Sequence, residues 1–300
     1  MRWHFELTET SFLKNRLEKK TNFIYKRVTI SSDAQKIARL DYDRNLSIYE
    51  ISDMMKPIFT IYDIFIAGTN IRFSHNSKKI AFYDLIRKEI NVWDIEKKER
   101  EFIYKDAPVF LTFSKIGDFM GIVLEDGIKI YENNSLISET NDKSCFFLDF
   151  AQNKDLVCIV VDQKISVWDF KQNRILVQYE GEPEATINCA YFLPSDSKIM
   201  AATANQQIIL WDYNLDMPKL ENNNDMKTAE KKSLITIREH QNAVLNALIS
   251  QDEKYIFSYE NAKQVSNVYI WKKNEYNDEY QNIMTQQNFN PSSPSTYYNG

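Results

Sequence analysis

Three hundred residues suffice for one large all-β domain or two smaller ones, and for burying a substantial core. A formal net charge of −5, with acids and bases interspersed, speaks against a nucleic-acid surface, which needs a clustered basic face. The three cysteines, Cys145, Cys158 and Cys189, form no close pair and sit in apolar runs, so buried free thiols of a reducing compartment are expected rather than a disulfide framework.

The opening residues, Met1-Arg2-Trp3-His4-Phe5-Glu6, lack the uninterrupted apolar stretch of a signal peptide. The longest apolar runs fall far short of the roughly 20 residues that span a bilayer. A cytoplasmic protein without a membrane partner is the expectation. Arg2 to Leu7 alternates as a strand does. Thr8 to Lys20 predicts a short helix with Ser11 as N-cap and Leu13 and Leu17 on one face, packed on a rim or offered to a partner. Together these make a first segment, residues 1–22.

Residues 23–272 are built on a repeat. Six runs of alternating apolar residues end in an aromatic, often followed by an acid: Leu46 to Glu50, Ile90 to Asp94, Ile128 to Glu132, Ile165 to Asp169, Ile208 to Asp212 and Val268 to Trp271. The aromatics Tyr49, Trp93, Tyr131, Trp168, Trp211 and Trp271 recur at roughly 40 residues, the spacing of four-stranded propeller blades. The second repeat parses most clearly. Asn70 to Ser74 is strand a, Lys79 to Tyr83 strand b, Glu89 to Asp94 strand c and Arg100 to Tyr104 strand d. Alternation puts Ile90, Val92 and Asp94 on one face of strand c and Asn91 and Trp93 on the other. Strand a begins the other repeats near Val28, Phe110, Phe146, Ala190 and Leu245. With only six glycines, turn positions fall to residues such as Asn76, Asn153 and Asp196, which tolerate left-handed backbone better than other non-glycine residues.

The step from Trp211 to Trp271 is the longest and contains a polar insertion, about 216–232, expected as a mobile loop between strands c and d. After Trp271 the alternation fades. Residues 273–300, with the Pro/Ser-rich stretch from Gln286 to Ser295, read as a disordered tail or linker.

Over residues 23–272 the chain resembles the WD40 repeat family, with literal Trp-Asp pairs at Trp93-Asp94, Trp168-Asp169 and Trp211-Asp212. The resemblance implies an all-β WD40-like propeller of six visible four-stranded blades, either six-bladed or an incomplete seven-bladed ring, with Arg2 to Leu7 as a candidate outer closing strand. It also implies a buried hydrogen-bonded set of strand-c Trp, strand-b Ser or Thr, b–c-turn Asp and a His before strand a. Asp43 and Asp162 stand six residues before Tyr49 and Trp168, and Asn205 stands there before Trp211. His240, Ser258 and Trp271 supply three members in the sixth repeat, with no Asp at the matching place. No repeat carries all four, so apolar packing should hold most blades.

No catalytic constellation stands out. The three histidines, His4, His75 and His240, belong to no metal-spaced cluster, and no phosphate loop or nucleophile elbow occurs. The expectation is a non-catalytic scaffold without cofactor, metal or small-molecule substrate. The resemblance implies protein or peptide partners bound at the face of b–c and d–a loops, here Tyr42, Arg44, Asp84, Arg87, Glu125, Asp126, Gln163, Gln206 and Gln241. A structural subunit of a large assembly, such as a vesicle coat or ciliary complex, is the alternative. A ubiquitin-ligase substrate receptor is a further one, for which the Trp-Asp-x-Arg variant is missing: Glu96, Lys171 and Asn214 stand where Arg would.

Overall fold

The computed structural model describes residues 25–115, 118–141, 144–161, 163–180, 186–216, 227–228, 234–260, 266–275 and 279–289. The short β-branched and aromatic runs between turn residues become strands in six sheets, each built on a four-stranded antiparallel meander in chain order, to which the fourth adds one parallel strand. The first sheet holds β1 (Tyr25–Ile30), β2 (Lys36–Asp41), β3 (Leu46–Glu50) and β4 (Phe59–Ile61), the second β5 (Ile66–Phe73), β6 (Lys79–Asp84), β7 (Glu89–Asp94) and β8 (Glu99–Tyr104). The third holds β9 (Phe110–Phe113), β10 (Phe119–Leu124), β11 (Gly127–Glu132) and β12 (Ser135–Thr140). The fourth holds β13 (Cys145–Phe150), β14 (Leu156–Val161), β15 (Lys164–Asp169) and β16 (Arg174–Glu180). The fifth holds β17 (Ile187–Phe192), β18 (Ile199–Thr203), β19 (Ile208–Trp211) and β21 (Leu234–Ile237). The sixth holds β22 (Val244–Ile249), β23 (Tyr255–Glu260), β24 (Ser266–Lys273) and β25 (Tyr280–Phe289). Every predicted strand-c run lies in the third strand of its sheet. The chain divides into two compact units whose boundary falls between Ile137 and Ser138, within β12.

Both faces of β6, β10, β14 and β18 are buried, so residues of both parities are mostly apolar there. In the second sheet Phe82 pairs with Asn91 and Ile80 with Trp93. Ile80, Phe82 and Trp93 pack toward Leu46, Ile48 and Ile61 of the first sheet. Ala81, Tyr83, Ile90 and Val92 pack toward Leu111, Ile122 and Tyr131 of the third. The predicted division of Ile90 and Val92 from Trp93 is thus realised as two separate cores.

A serine closes four of the a–b turns. The Oγ atoms of Ser31, Ser74, Ser114 and Ser250 accept the backbone N–H of Lys36, Lys79, Phe119 and Tyr255 at 2.8, 2.9, 3.2 and 2.9 Å. The Ser74 hydroxyl in turn donates to Asn76 Oδ1 at 2.7 Å, and that of Ser250 to Asp252 Oδ1 at 2.6 Å. This side-chain mimic of a turn replaces glycine's freedom only in part. Ala34, Ser77, Asp196 and Glu253 take positive φ at their a–b turns, as do Arg44, Lys88, Gln163 and Gln206 at b–c turns. Of the three residues expected there Asp196 takes positive φ, whereas Asn76 and Asn153 do not, Ser77 taking it beside Asn76.

Two regions differ from the sequence reading. β25 lies beside β24, with Tyr269 opposite Thr285 and Lys273 opposite Tyr280, so part of the expected tail is the fourth strand of the sixth sheet. Only about half of its residues are apolar, and as an outer strand with weak alternation it escaped pattern reading. It occupies the place beside β24 proposed for Arg2 to Leu7, which, with the helix at 8–20, lies outside the described residues. The insertion does fall between the third and fourth strands of the fifth sheet. It starts with a one-turn helix, α1 (Tyr213–Asp216), and its Lys227–Thr228 pair forms β20, a fifth strand running parallel along Val177 and Gln178 of β16. The rest of 216–232 and the end of the tail lie outside the described residues.

Candidate functional site

Among the described residues the buried polar set comes together in the sixth sheet alone, where His240 Nδ1 stays buried without a hydrogen-bond partner. Register explains why. Ser258 of β23 pairs with Tyr269, two residues before Trp271. The matching residues of the other sheets are Arg39, Phe82, Ile122, Ile159 and Ala201, none of which carries a hydroxyl. Trp271 Nε1–H donates to Ser258 Oγ at 2.8 Å, and His240 Nε2 lies 2.8 Å from the same oxygen. The His240 ring rests against Tyr269 and Trp271, with centroids 4.6 and 5.0 Å away. Burial drives the His240 pKa down to about 4, against the opposing pull of the Glu260 charge, so the imidazole is neutral.

Glu260 is the missing fourth member. It ends strand b, is fully buried, and accepts the backbone N–H groups of Gln241 and Asn242 at 2.9 and 3.0 Å and the side-chain amides of Asn242 and Asn267. Burial alone would raise its carboxyl pKa, but these donors hold it below the usual range. The expected place six residues before Trp271 holds no acid, and the longer side chain reaches from the strand end instead. The first two sheets use the same position. Asp41 accepts Asn45 N–H at 2.8 Å, while Asp43, favoured from its spacing, is exposed in the turn. Asp84 is buried and accepts the backbone N–H groups of Ile86 and Arg87 at 3.0 and 3.2 Å. Asp84 is therefore a turn anchor, not the exposed loop-face residue expected. Asp162 lies outside the described residues.

By composition Ser258, His240 and Glu260 could suggest a hydrolytic triad. Their geometry does not support one: all three are buried, the serine oxygen is already bonded to the Trp271 indole, and Glu260 spends its lone pairs on loop amides. The set is a clamp.

Exposed chemistry gathers instead where the b–c turns of the first two sheets meet the connection between those sheets. Tyr42, Tyr62 and Ile86 are 63%, 70% and 65% exposed, and Phe65 and Leu85 are partly so. Backbone bonds hold the three segments together: Ile64 N–H donates to Arg44 O at 2.9 Å, and Leu85 N–H to Phe65 O at 2.7 Å. Arg44 pairs with Asp63 at 3.1 Å, and the Arg87 guanidinium bridges the Asp84 carboxylate and Asp63 O. Tyr42, Arg44 and Arg87 were expected in this place. Tyr62, Phe65, Leu85 and Ile86 were not, because an apolar residue in a loop reads like core until its burial is known.

The other expected face residues stand at the same kind of loop in their own sheets. Glu125 and Asp126 are exposed in the β10–β11 turn. Gln163 and Gln206 are exposed at left-handed turn positions, and Gln241 is exposed while its backbone is held by Glu260. Among the described residues no hydrogen bond joins these glutamines to one another. Also among the described residues, no cluster of His, Cys, Asp and Glu has metal-binding geometry.

Three comparisons bear on this arrangement. No protein-family model matches the chain, and no curated protein matches it by sequence. Solved structures do match. "Structure of U3-55K" superposes with a TM-score of 0.62 at 12% identity over 88% of this chain and 81% of that one. "Crystal structure of RRP9 WD40 repeats" gives 0.62 at 12% over 88% and 80%. The chain has the WD40 propeller fold. A third match, "KlHsv2 with loop 6CD replaced by a Gly-Ser linker", gives 0.59 at 12% over 86% and 97%. Read as WD40 blades, the six sheets each keep the strand-c aromatic, with Trp168, Trp211 and Trp271 buried and Tyr49 and Tyr131 nearly so. Among the described residues only the sixth keeps the polar clamp around it. Trp93 stacks on Phe59 at 5.9 Å, and its buried Nε1–H has no hydrogen-bond partner.

Proposed function

We propose that this WD40 propeller is a non-catalytic scaffold that binds protein or peptide partners through its b–c and d–a loops, foremost the surface of Tyr42, Tyr62, Phe65, Leu85 and Ile86. The observation that carries the reading is exposed apolar area concentrated on three segments that are tied together and rimmed by arginines. Tyr and Arg are the residues enriched in interface cores, and a clustered apolar patch on a folded surface marks an interaction site more often than scattered exposure does. The opposite loops support it by contrast, since the a–b turns are committed to one another. Asp33 N–H donates to Ser77 Oγ at 3.3 Å, Asn76 Nδ2 to Asp118 Oδ1 at 3.3 Å, and Ser195 N–H to Glu253 Oε1 at 2.6 Å, while Asp196 accepts the amides of Gln152 and Asn153. No cofactor, nucleic acid, membrane or small-molecule substrate enters this reading, and a cytoplasmic setting goes with it.

The test is a native pull-down from source cells with mass-spectrometric identification, comparing the native chain with a Tyr62→Glu/Ile86→Glu variant. Partners retained by the first and lost by the second support the scaffold reading. Identical partner sets overturn the assignment to this surface.

A structural subunit joined through its sides is the second reading. It is favoured by Ile283 and Met284, both about half exposed on the outer strand β25. It predicts co-migration with a large complex that tolerates the Tyr62→Glu/Ile86→Glu change and fails with Ile283→Lys/Met284→Lys.

A further inference from the structure

The loop surface of the first two blades has a direction, and its direction specifies what fits it. Its charges sort into committed and uncommitted groups. Arg44 is paired with Asp63, Arg87 with Asp84, and Glu89 with Arg100 at 3.6 Å. Asp41 is turned inward on Asn45, accepting both its backbone and its side-chain N–H. Two charges remain. Asp43 is exposed beside Tyr42 in the first b–c turn, and Lys88 is exposed two residues after Ile86 in the second. Neither makes an ion pair among the described residues. Between the two turns run Tyr62, Asp63 and Phe65, bonded to the first turn through Arg44 and to the second through Arg87 and Leu85. An exposed anion therefore stands at one side of the apolar surface and an exposed cation at the other.

We infer that the surface takes a short peptide segment of aromatic or aliphatic residues with a basic residue at its Asp43 end and an acidic residue at its Lys88 end. This inference rests on the scaffold reading and adds to it the polarity of the partner. The apolar residues supply most of the affinity, because burying side chains the size of Tyr and Ile is worth more than an exposed ion pair. The two charges supply orientation: a segment laid in reverse places like charges together at both ends. Committing Arg44 and Arg87 internally sharpens that choice, since neither is left to attract an acid at the wrong end. Both also hold the loops in place before a partner arrives, which lowers the ordering cost of binding.

The test uses the full chain and a random dodecapeptide library displayed on phage, with counter-selection on the Tyr62→Glu/Ile86→Glu variant. Selected peptides are resynthesised and titrated by fluorescence anisotropy against native protein, Asp43→Lys, Lys88→Glu and the double exchange. The three variants change only exposed turn residues, and a thermal melt checks that each is folded. The expected result is enrichment of apolar peptides carrying a Lys or Arg and an Asp or Glu on opposite flanks. Each single exchange should weaken binding about 2- to 5-fold, the range of an exposed ion pair. Peptides with the two flanking charges interchanged should prefer the double exchange to the native chain, and raised salt should erase that preference. Peptides that need Tyr62 and Ile86 yet ignore both charge exchanges would overturn the polarity and leave the scaffold reading standing. No peptide that distinguishes native protein from the Tyr62→Glu/Ile86→Glu variant would overturn both.

Discussion

The second and sixth blades share a strand-c tryptophan and almost nothing else that holds it. In the sixth, Trp271 donates to Ser258, His240 shares that oxygen, and Glu260 fixes the preceding loop. In the second, Phe82 stands where Ser258 would, Trp93 keeps an unpartnered N–H, and the ring is held by Phe59 and aliphatic neighbours. The two solutions fail differently. A buried polar clamp is costly to break at Ser258 or Glu260, because each loss strands buried donors, even though His240 Nδ1 itself has no hydrogen-bond partner. An apolar core loses stability in proportion to the atoms removed and is indifferent to pH. The blade with the apolar solution is also the one whose b–c turn joins the proposed binding surface. Its b–c turn is tied by the buried Asp84 carboxylate and by backbone and arginine bonds, none of which reaches the tryptophan, and the side chains of Leu85 and Ile86 stay outward.

The sharpest way to break this contrast is Glu260→Ala, which strands four donors. Denaturant unfolding should show a loss of about 4 kcal/mol or more; a loss below about 1 kcal/mol would mean the loop amides find water at no cost. Next is acid. The folded chain holds His240 neutral with a pKa of about 4, whereas an unfolded histidine takes its proton near 6.5. The unfolded state binds that proton first, so stability present above about pH 6.5 falls as pH drops toward 4, by about 3 kcal/mol. The depressed Glu260 carboxyl adds to the same trend at still lower pH. Hydrogen exchange should show the sixth blade loosening before the second, and His240→Asn should flatten the slope. Then comes one substitution at two sites: Trp271→Phe should cost about 2 kcal/mol, and Trp93→Phe, which removes an orphaned donor, less than about 1 kcal/mol. Equal costs would erase the distinction. Smallest is the first blade, where Asp41→Ala should cost about 1 kcal/mol and Asp43→Ala nothing measurable.

Strand positions were legible because a half-buried or doubly buried strand writes its period into the chain, and Ile90-Asn91-Val92-Trp93 does so plainly. The clamp was three-quarters legible: His240, Ser258 and Trp271 carry family spacing. Glu260 was hidden because it stands at the end of strand b rather than at the spacing before Trp271 where an acid was expected, as do Asp41 and Asp84 in their own sheets. Asp43 drew attention from Asp41 for the related reason that spacing along a turn does not say which side chain points inward. β25 was hidden by composition, since an outer strand needs few apolar residues. The binding surface was half legible. Polar loop residues such as Arg44 and Arg87 advertise exposure, whereas Tyr62, Leu85 and Ile86 declare theirs only once the fold has placed neighbours on one side of them.

Site-specific photo-crosslinking in source cells tests the central claim most directly. A benzoylphenylalanine replaces Tyr62 in one experiment and Ile283 in another, sampling the loop surface and the outer strand. The scaffold account predicts a discrete adduct from position 62, abolished by Ile86→Glu, and none from position 283. Adducts from position 283 alone would contradict it and assign the contact to the propeller's side.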